Sequence, residues 1–509
     1  MGIRDGKGAN KPATSLVGIA CILAVLACNL ASAGSTPAPT EPPAVVTTPL
    51  KSEDSSPPPA EPLASAPTAT PEVEESVVLS AEGPWFVAAT TEGMWILNSD
   101  GSGMTWIGQE NVLLPRDFTS AAAPSGGHLA LLTAAEANQP RGIILHVLSL
   151  PSGQFTTITA LIAPQYEPAP DAMPGDAAFE ALRAITELNS MTWSPDGAQL
   201  AFMGMVEGPT SDLYTYSLES GRISWLTDGP SQGIRPDWSP GGTYIAHQGV
   251  KSLGTGAGYN MAGVWAARAD GAGVTRLYEV SQNSGDEKIL GWLDDSTVLV
   301  YSWDAVCGTK NLRSVRIGGG TDPLWPGYFG DASLDPKSGA LLFSVPDPMA
   351  SCNGNGNQGL FLMNLGNDTS ARVSDANVFQ IAWSEAMGAF FAVADDGQVL
   401  QVDPTGQISP LPAAYFRAPE VDPVSKTWAI ANAVSSRGET GVWVGESGTN
   451  PTKIFDQPAG DLTWSPQGGV LLFFGDLGLF AAQAPEYEPI LRGPGMQLTA
   501  DRGSAWVLP

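Results

Sequence analysis

The sequence predicts an all-β fold built from one repeated four-stranded unit, and three observations carry that prediction. First, MTWSPDGAQLAFMG, residues 191–204, places an apolar run ending in Trp193, a turn of Ser194, Pro195, Asp196 and Gly197, and a second apolar run in succession. That is the pattern of a β-hairpin. Second, the pattern occurs eight times, with the turn anchored at Pro124, Pro195, Pro240, Asp294, Pro336, Glu385, Pro423 and Pro466. Apart from one interval of 71 residues, the spacings run from 38 to 54. Third, each copy leads into a short strand, in most copies a glycine-bearing turn such as SLESGR or RADGAG, and a further β-rich run. Four strands per unit at a period of about 40–45 residues predicts a single β-propeller of four-stranded blades.

Ahead of the repeats, a segment carrying Arg4, Lys7 and Lys11 precedes LVGIACILAVLAC, residues 16–28. An apolar run this short and this close to the N-terminus reads as the core of a signal peptide, not as a membrane span. Val25-Leu26-Ala27-Cys28 resembles a bacterial lipobox, which implies a signal peptide over 1–27 and a lipid-carrying Cys28. Leu26 is bulkier than the small residue usual there; cleavage at Ala31-Ser32-Ala33 and an uncleaved anchor are the alternatives. Residues 28–76 are rich in Pro, Ala, Ser and Thr with almost no aromatic or periodic apolar signal, the composition of a disordered tether. Extended at ~3.1 Å per residue, such a tether reaches roughly 140 Å. The propeller is expected over 77–509.

Composition agrees with this division. The chain has 58 Gly, 43 Pro and 43% hydrophobic residues, which supply many turns and a large core. Its 52 Asp+Glu against 24 Lys+Arg leave a net charge of −28. A field of that sign repels phosphate backbones and argues against a nucleic-acid partner.

Ring closure is read from the two ends of the repeat array. Residues 84–108 supply second, third and fourth strands without a convincing first one, and the segment from Met496 onward reads as a first strand, a turn and a second strand, so the two termini are expected to complete one shared blade. The literal count is nine units; because propellers commonly have four to eight blades, about eight are expected, within a range of 7–9. The long interval before Pro195 contains Phe179, Leu182, Ile185 and Leu188 at helical spacing after Asp176, which predicts a short helix. Long loops between second and third strands, at 249–262, 303–311 and 345–358, share one face with the blade-to-blade connections. Arg235, Lys251, Tyr259, Asp304 and Lys310 fall on that face and are the candidate binding residues. Cys307 and Cys352 fall in such loops of consecutive units and predict a disulfide in an oxidising compartment; two free thiols and a metal site are the alternatives.

The Trp-Ser-Pro-(Asp/Gly/Gln)-Gly sequence at Trp193, Trp238 and Trp464, each followed by an aliphatic-rich strand, resembles the repeat of TolB-type propellers, also found in prolyl-oligopeptidase-like peptidases. Trp292 and Trp383 keep the tryptophan without the proline. The resemblance covers nearly all of 77–509 and implies the fold. No separate α/β domain like that of TolB is visible, so its particular role is not implied.

Catalytic motifs are not apparent. His128, His146 and His247 read as packed strand positions, no Gly-x-Ser-x-Gly elbow occurs, and GTGAG at 254–258 reads as a flexible turn, not a phosphate cradle. Asp100, Asp196 and Asp270 read as turn formers, with Ca²⁺ binding as the alternative. No catalytic residue, metal ligand or cofactor is assigned. The expected function is that of a monomeric cell-envelope lipoprotein, membrane-attached through lipid, that displays a non-catalytic propeller scaffold to a protein, peptide or glycan. The alternative is an enzyme acting on extracellular polymer through channel carboxylates, for which Asp237 and Glu420 are the candidates and Ca²⁺ a conceivable cofactor.

Overall fold

The computed structural model describes residues 79–509 except 91–92, 108–111, 114–120, 135–141, 170–180, 186–189, 230, 253–259, 280–285, 305–307, 347–357, 368, 433–438 and 498–503. The signal segment, Cys28, the tether, Tyr259, Cys307 and Cys352 lie outside the described residues. The described chain forms nine four-stranded antiparallel sheets. Eight take their strands in sequence order, as in blade 4, with Gln232–Trp238, Tyr244–Ser252, Asn260–Arg268 and Val274–Glu279 side by side. Neighbouring blades meet through their first strands: Met191–Trp193 of blade 3 lies on Gln232–Trp238, and Ala332–Asp335 of blade 6 on Val378–Ser384 of blade 7. The first strand is therefore innermost and faces the central channel.

Blade 1 closes the ring. Ser504–Val507 pairs antiparallel with Trp85–Thr90, which continues into Gly93–Asn98 and Thr105–Trp106. The C-terminus thus contributes one inner strand, and the blade count is nine, the top of the expected range. The helical spacing before blade 3 is met where the structure describes it: residues 181–185 are helical, and Ala181, Leu182 and Ile185 pack into the core between blades 2 and 3. The alternation of each second strand explains the rest of the core. Gln199–Gly204 buries Leu200 and Phe202 toward blade 2 and Ala201 and Met203 toward blade 4, because successive side chains leave a strand on opposite faces.

In four blades the tryptophan before the turn joins the blade to the one preceding it. Trp193 Nε1 donates to the Ala121 carbonyl at 2.7 Å, Trp238 to Thr192 at 3.1 Å, Trp292 to Asp237 at 3.1 Å and Trp464 to Glu420 at 3.1 Å. These four rings are 4–6% exposed. In each case the acceptor lies three residues before the turn anchor of the preceding blade. Trp506 of blade 1 makes the equivalent contact across the closure, donating to Thr463 Oγ1 at 2.8 Å. Carboxylates add a second set of ties: Asp331 accepts the Ile381 N–H at 2.6 Å, and Asp422 accepts that of Gly469 at 2.7 Å.

Replacing Trp193 by Phe removes the indole N–H and strands a buried carbonyl. It is expected to lower stability by about 2 kcal/mol, from the lost hydrogen bond and the volume deficit. Trp106, at 51% exposure, is expected to tolerate the same change within about 0.5 kcal/mol. Urea midpoints of the two variants decide between them.

Candidate functional site

The inner strand of blade 8 is the shortest kind in the ring, Glu420–Val421 alone. Pro419 and Pro423 flank it and offer no N–H to the strand ladder. The inner strands beside it, Val378–Ser384 of blade 7 and Ala459–Trp464 of blade 9, are much longer. The shortfall opens a recess of about 540 Å³ in the channel wall, backed by Ala429–Ala431 of the blade 8 second strand. Gln380, Arg417, Glu420 and Asp461 supply its polar lining together with Ser384 and Glu385.

Local structure sets these side chains. Gln380 lies at a bulge of the blade 7 inner strand, and its Oε1 accepts the Ala418 N–H at 3.0 Å, holding the segment that carries Arg417. Asp461 lies at a bulge of the blade 9 inner strand with φ of 50°, a left-handed conformation uncommon outside glycine. Bulges redirect single side chains in this way and are frequent beside functional sites. Glu420 faces channel water by accessible area, but the protein crowding it raises its proton affinity by desolvation, against a smaller opposing pull from Arg417. The recess therefore holds three carboxylates, Glu385, Glu420 and Asp461 of blades 7, 8 and 9, with the proton affinity of Glu420 raised, beside a guanidinium and an amide.

The residues singled out in the sequence lie elsewhere on the ring. Arg235 occupies a left-handed bulge position of the blade 4 inner strand, φ 51°, and reaches Gln248 Oε1 at 3.5 Å. Lys251 is exposed on the second strand of the same blade, and Lys310 lies over the Tyr328 ring at 5.7 Å on the third strand of blade 5. Asp304 ends the second strand of blade 5. These four are thus grouped on blades 4 and 5, apart from the recess. Of the two channel carboxylates considered, Glu420 enters the recess, whereas Asp237 stands at the matching position of blade 4. Gln380, Arg417 and Asp461 were not anticipated. The one sequence signal for them is Ala-Pro-Glu-Val-Asp-Pro at 418–423, whose prolines limit the inner strand.

Other polar groups are occupied structurally. Asp100, Asp196 and Asp270 each accept the backbone N–H two residues on, at 2.9, 3.0 and 2.9 Å, as turn formers do. His146 contacts Thr133 and Thr157 hydroxyls at 2.9 and 3.2 Å. Glu287, wholly buried in blade 5, accepts from Ser302 at 2.8 Å and lies 3.6 Å from Arg313, whose guanidinium stacks over Tyr278 of blade 4 at 4.5 Å. Among the described residues no group of three or more His, Cys, Asp or Glu converges as a metal site.

No known family pattern matches the chain. An uncharacterized peptidase of Bacillus subtilis is 47% identical over 53 residues, 10% of this chain and 8% of that protein. An uncharacterized protein of Agrobacterium fabrum is 29% identical over 85 residues, 17% of this chain and 26% of that one. The chain thus spans about a tenth and a quarter of these relatives' lengths. Among solved structures, a eukaryotic initiation factor aligns over 84% of this chain and 98% of its own at 12% identity with a TM-score of 0.51, a likeness of fold. Dipeptidyl peptidase 4 of Porphyromonas gingivalis aligns over 74% of this chain and 59% of its own, at 10% identity and a TM-score of 0.46. TolB of Acinetobacter baumannii and an oligogalacturonate lyase with manganese are also among the structural neighbours.

These findings correct the expectation that the chain is not an enzyme. The 53-residue segment matched at 47% identity belongs to a protein named as a peptidase. The expectation rested on missing linear motifs, and the recess unites Glu420 and Asp461 from different blades, an arrangement no local motif displays.

Burial raises Asp237 to about 6. Its native form therefore holds a proton that the unfolded chain releases near the ordinary carboxylate range. This contribution to stability is full below that range and is lost as pH rises through about 6. Asp237→Asn is expected to remove this loss, gaining on the order of 1 kcal/mol over the parent at pH 7.5 and nothing at pH 4. Urea midpoints at the two pH values measure the difference.

Proposed function

We propose that this protein is an exported, envelope-anchored propeller that binds a segment of a peptide or glycan in the channel recess of blades 7–9. The observation that carries this reading is the recess itself: a concavity of about 540 Å³ in which Gln380, Arg417, Glu420 and Asp461 converge. Ligand sites take this form, a pre-formed hollow with a few converging polar groups. Amide, guanidinium and carboxylate together match the alternating donors and acceptors of a peptide backbone or a sugar ring. Attachment through lipid on Cys28 and the 28–76 tether would hold the propeller away from the membrane, and a Cys307–Cys352 disulfide would brace the loop face of blades 5 and 6.

A second reading rests on Glu420. A carboxyl of raised proton affinity in the same recess as Asp461 is the kind of pairing that general acid–base cleavage of a bound polymer uses. Binding and turnover then share the recess.

Peptide and oligosaccharide arrays probed with the purified chain test both readings. Arg417→Ala is expected to weaken the captured ligand at least tenfold. Glu420→Gln is expected to preserve capture while abolishing any hydrolysis. Capture unaffected by either change but lost in Lys251→Glu/Lys310→Glu would move the site to blades 4 and 5. The anchor has its own test: metabolic labelling with a radioactive fatty acid is expected to mark the parent chain and not Cys28→Ser.

A further inference from the structure

We propose a second ligand site between blades 3 and 4, built for a compact organic cation: an ammonium or guanidinium group, free or on a peptide side chain. It lies apart from the blade 7–9 recess and does not depend on the function proposed for it. The site is a cavity of about 240 Å³. Blade 3 contributes Asp212, at the start of its third strand, and Thr227 and Asp228 in its outgoing loop; blade 4 contributes His247 and Trp265.

The sequence makes room for it with glycine. Gly233, Gly249 and Gly263 stand in register across the first three strands of blade 4. A Cβ on Gly249 would come within 2.3 Å of the Trp265 ring, so the indole lies directly against bare backbone. The His247 ring stacks on the same indole, with centroids 6.1 Å apart and planes 17° from parallel.

Two features point to a ligand, and to its charge. His247 is 6% exposed, lines the cavity, and its Nδ1 has no hydrogen-bond partner among the described residues. A buried polar nitrogen left open carries a cost that an incoming donor or acceptor would relieve. Burial holds its imidazole neutral, with a pKa lowered to about 4, so the histidine does not offset the acids facing it. Asp212, 2% exposed, accepts from Thr227 at 3.2 Å, the Gly229 N–H at 3.1 Å and Thr210 at 2.9 Å. Those bonds fill three of about four acceptor positions on a carboxylate. Asp228 adds a second negative charge, near enough to push Asp212 further toward protonation. The lining contains no Lys or Arg.

Two acids and a neutral imidazole exclude an anion. The aromatic wall distinguishes the remaining cations. A divalent metal requires a third converging ligand, which the described residues do not supply, whereas an ammonium or guanidinium group gains from the Trp265 face.

Calorimetric titration of the full chain at low salt tests the assignment, with agmatine as the cation and butylurea as its neutral counterpart. Agmatine is expected to bind at least tenfold more tightly than butylurea. Asp228→Asn, at an exposed position, is expected to weaken agmatine about 3- to 10-fold, and Trp265→Leu about 3- to 30-fold. Unchanged thermal midpoints would establish that both variants fold. Asp212→Asn is less informative because that carboxylate also ties its own loop. Tighter binding of Gly-Arg-Gly than of agmatine would identify a peptide side chain as the occupant, and the reverse a free amine. Equal affinity for butylurea, parent-like binding in both variants, no agmatine binding at millimolar concentration, or binding of Mn²⁺ in its place would overturn the proposal.

Discussion

The indole N–H of Trp193 donates to a backbone carbonyl in the preceding blade, and the same bond recurs at Trp238, Trp292 and Trp464. Each of these bonds crosses between sheets that share no strand ladder. Within a blade, ladder hydrogen bonds suffice; between blades there is side-chain packing with a few side-chain hydrogen bonds, and packing by itself resists sliding poorly. A buried N–H that must find an acceptor converts that packing into a register. The acceptor is always the residue three before the turn anchor, so each blade sets the height of the next. Ring closure by Ser504–Val507 repeats the device with Trp506 and Thr463.

That register also decides which residues face the channel. Where the carbonyl of the acceptor residue is engaged, its side chain is held on the inner wall, and two of the acceptors are Asp237 and Glu420. Both carry raised proton affinity because burial desolvates the carboxyl. Structural and chemical roles are thus joined at one position of the repeat. In blade 8 a two-residue inner strand lies between inner strands of seven and six residues, and there the wall becomes a recess rather than a ladder edge.

Loss of side chains has a parallel effect between blades 3 and 4. The interface of blades 2 and 3 is filled by apolar side chains; between blades 3 and 4 the glycine row of blade 4 leaves a gap that Trp265 only partly occupies. Polar residues of blade 3 face the gap, and His247 is left with an open nitrogen. In a ring whose nine units repeat one plan, both hollows lie where a unit breaks the plan.

The sequence by itself determined the fold. The Trp-Ser-Pro turn with its flanking apolar alternation specifies a local hairpin, and its recurrence specifies the ring, because both depend on neighbours a few residues apart. It also marked the shared closing blade and the helical segment at 181–185. The repeats count to nine and the structure has nine blades, against the eight that the usual size of propellers favoured; the membership of the sites was decided by the tertiary structure. Gln380, Arg417, Glu420 and Asp461 come from three blades, and Asp212 and His247 from two; their meeting depends on ring curvature and on strand lengths that periodicity does not encode. Proton affinities follow the same logic: burial sets them, and burial is a property of the assembled ring, not of the residue or its neighbours in sequence.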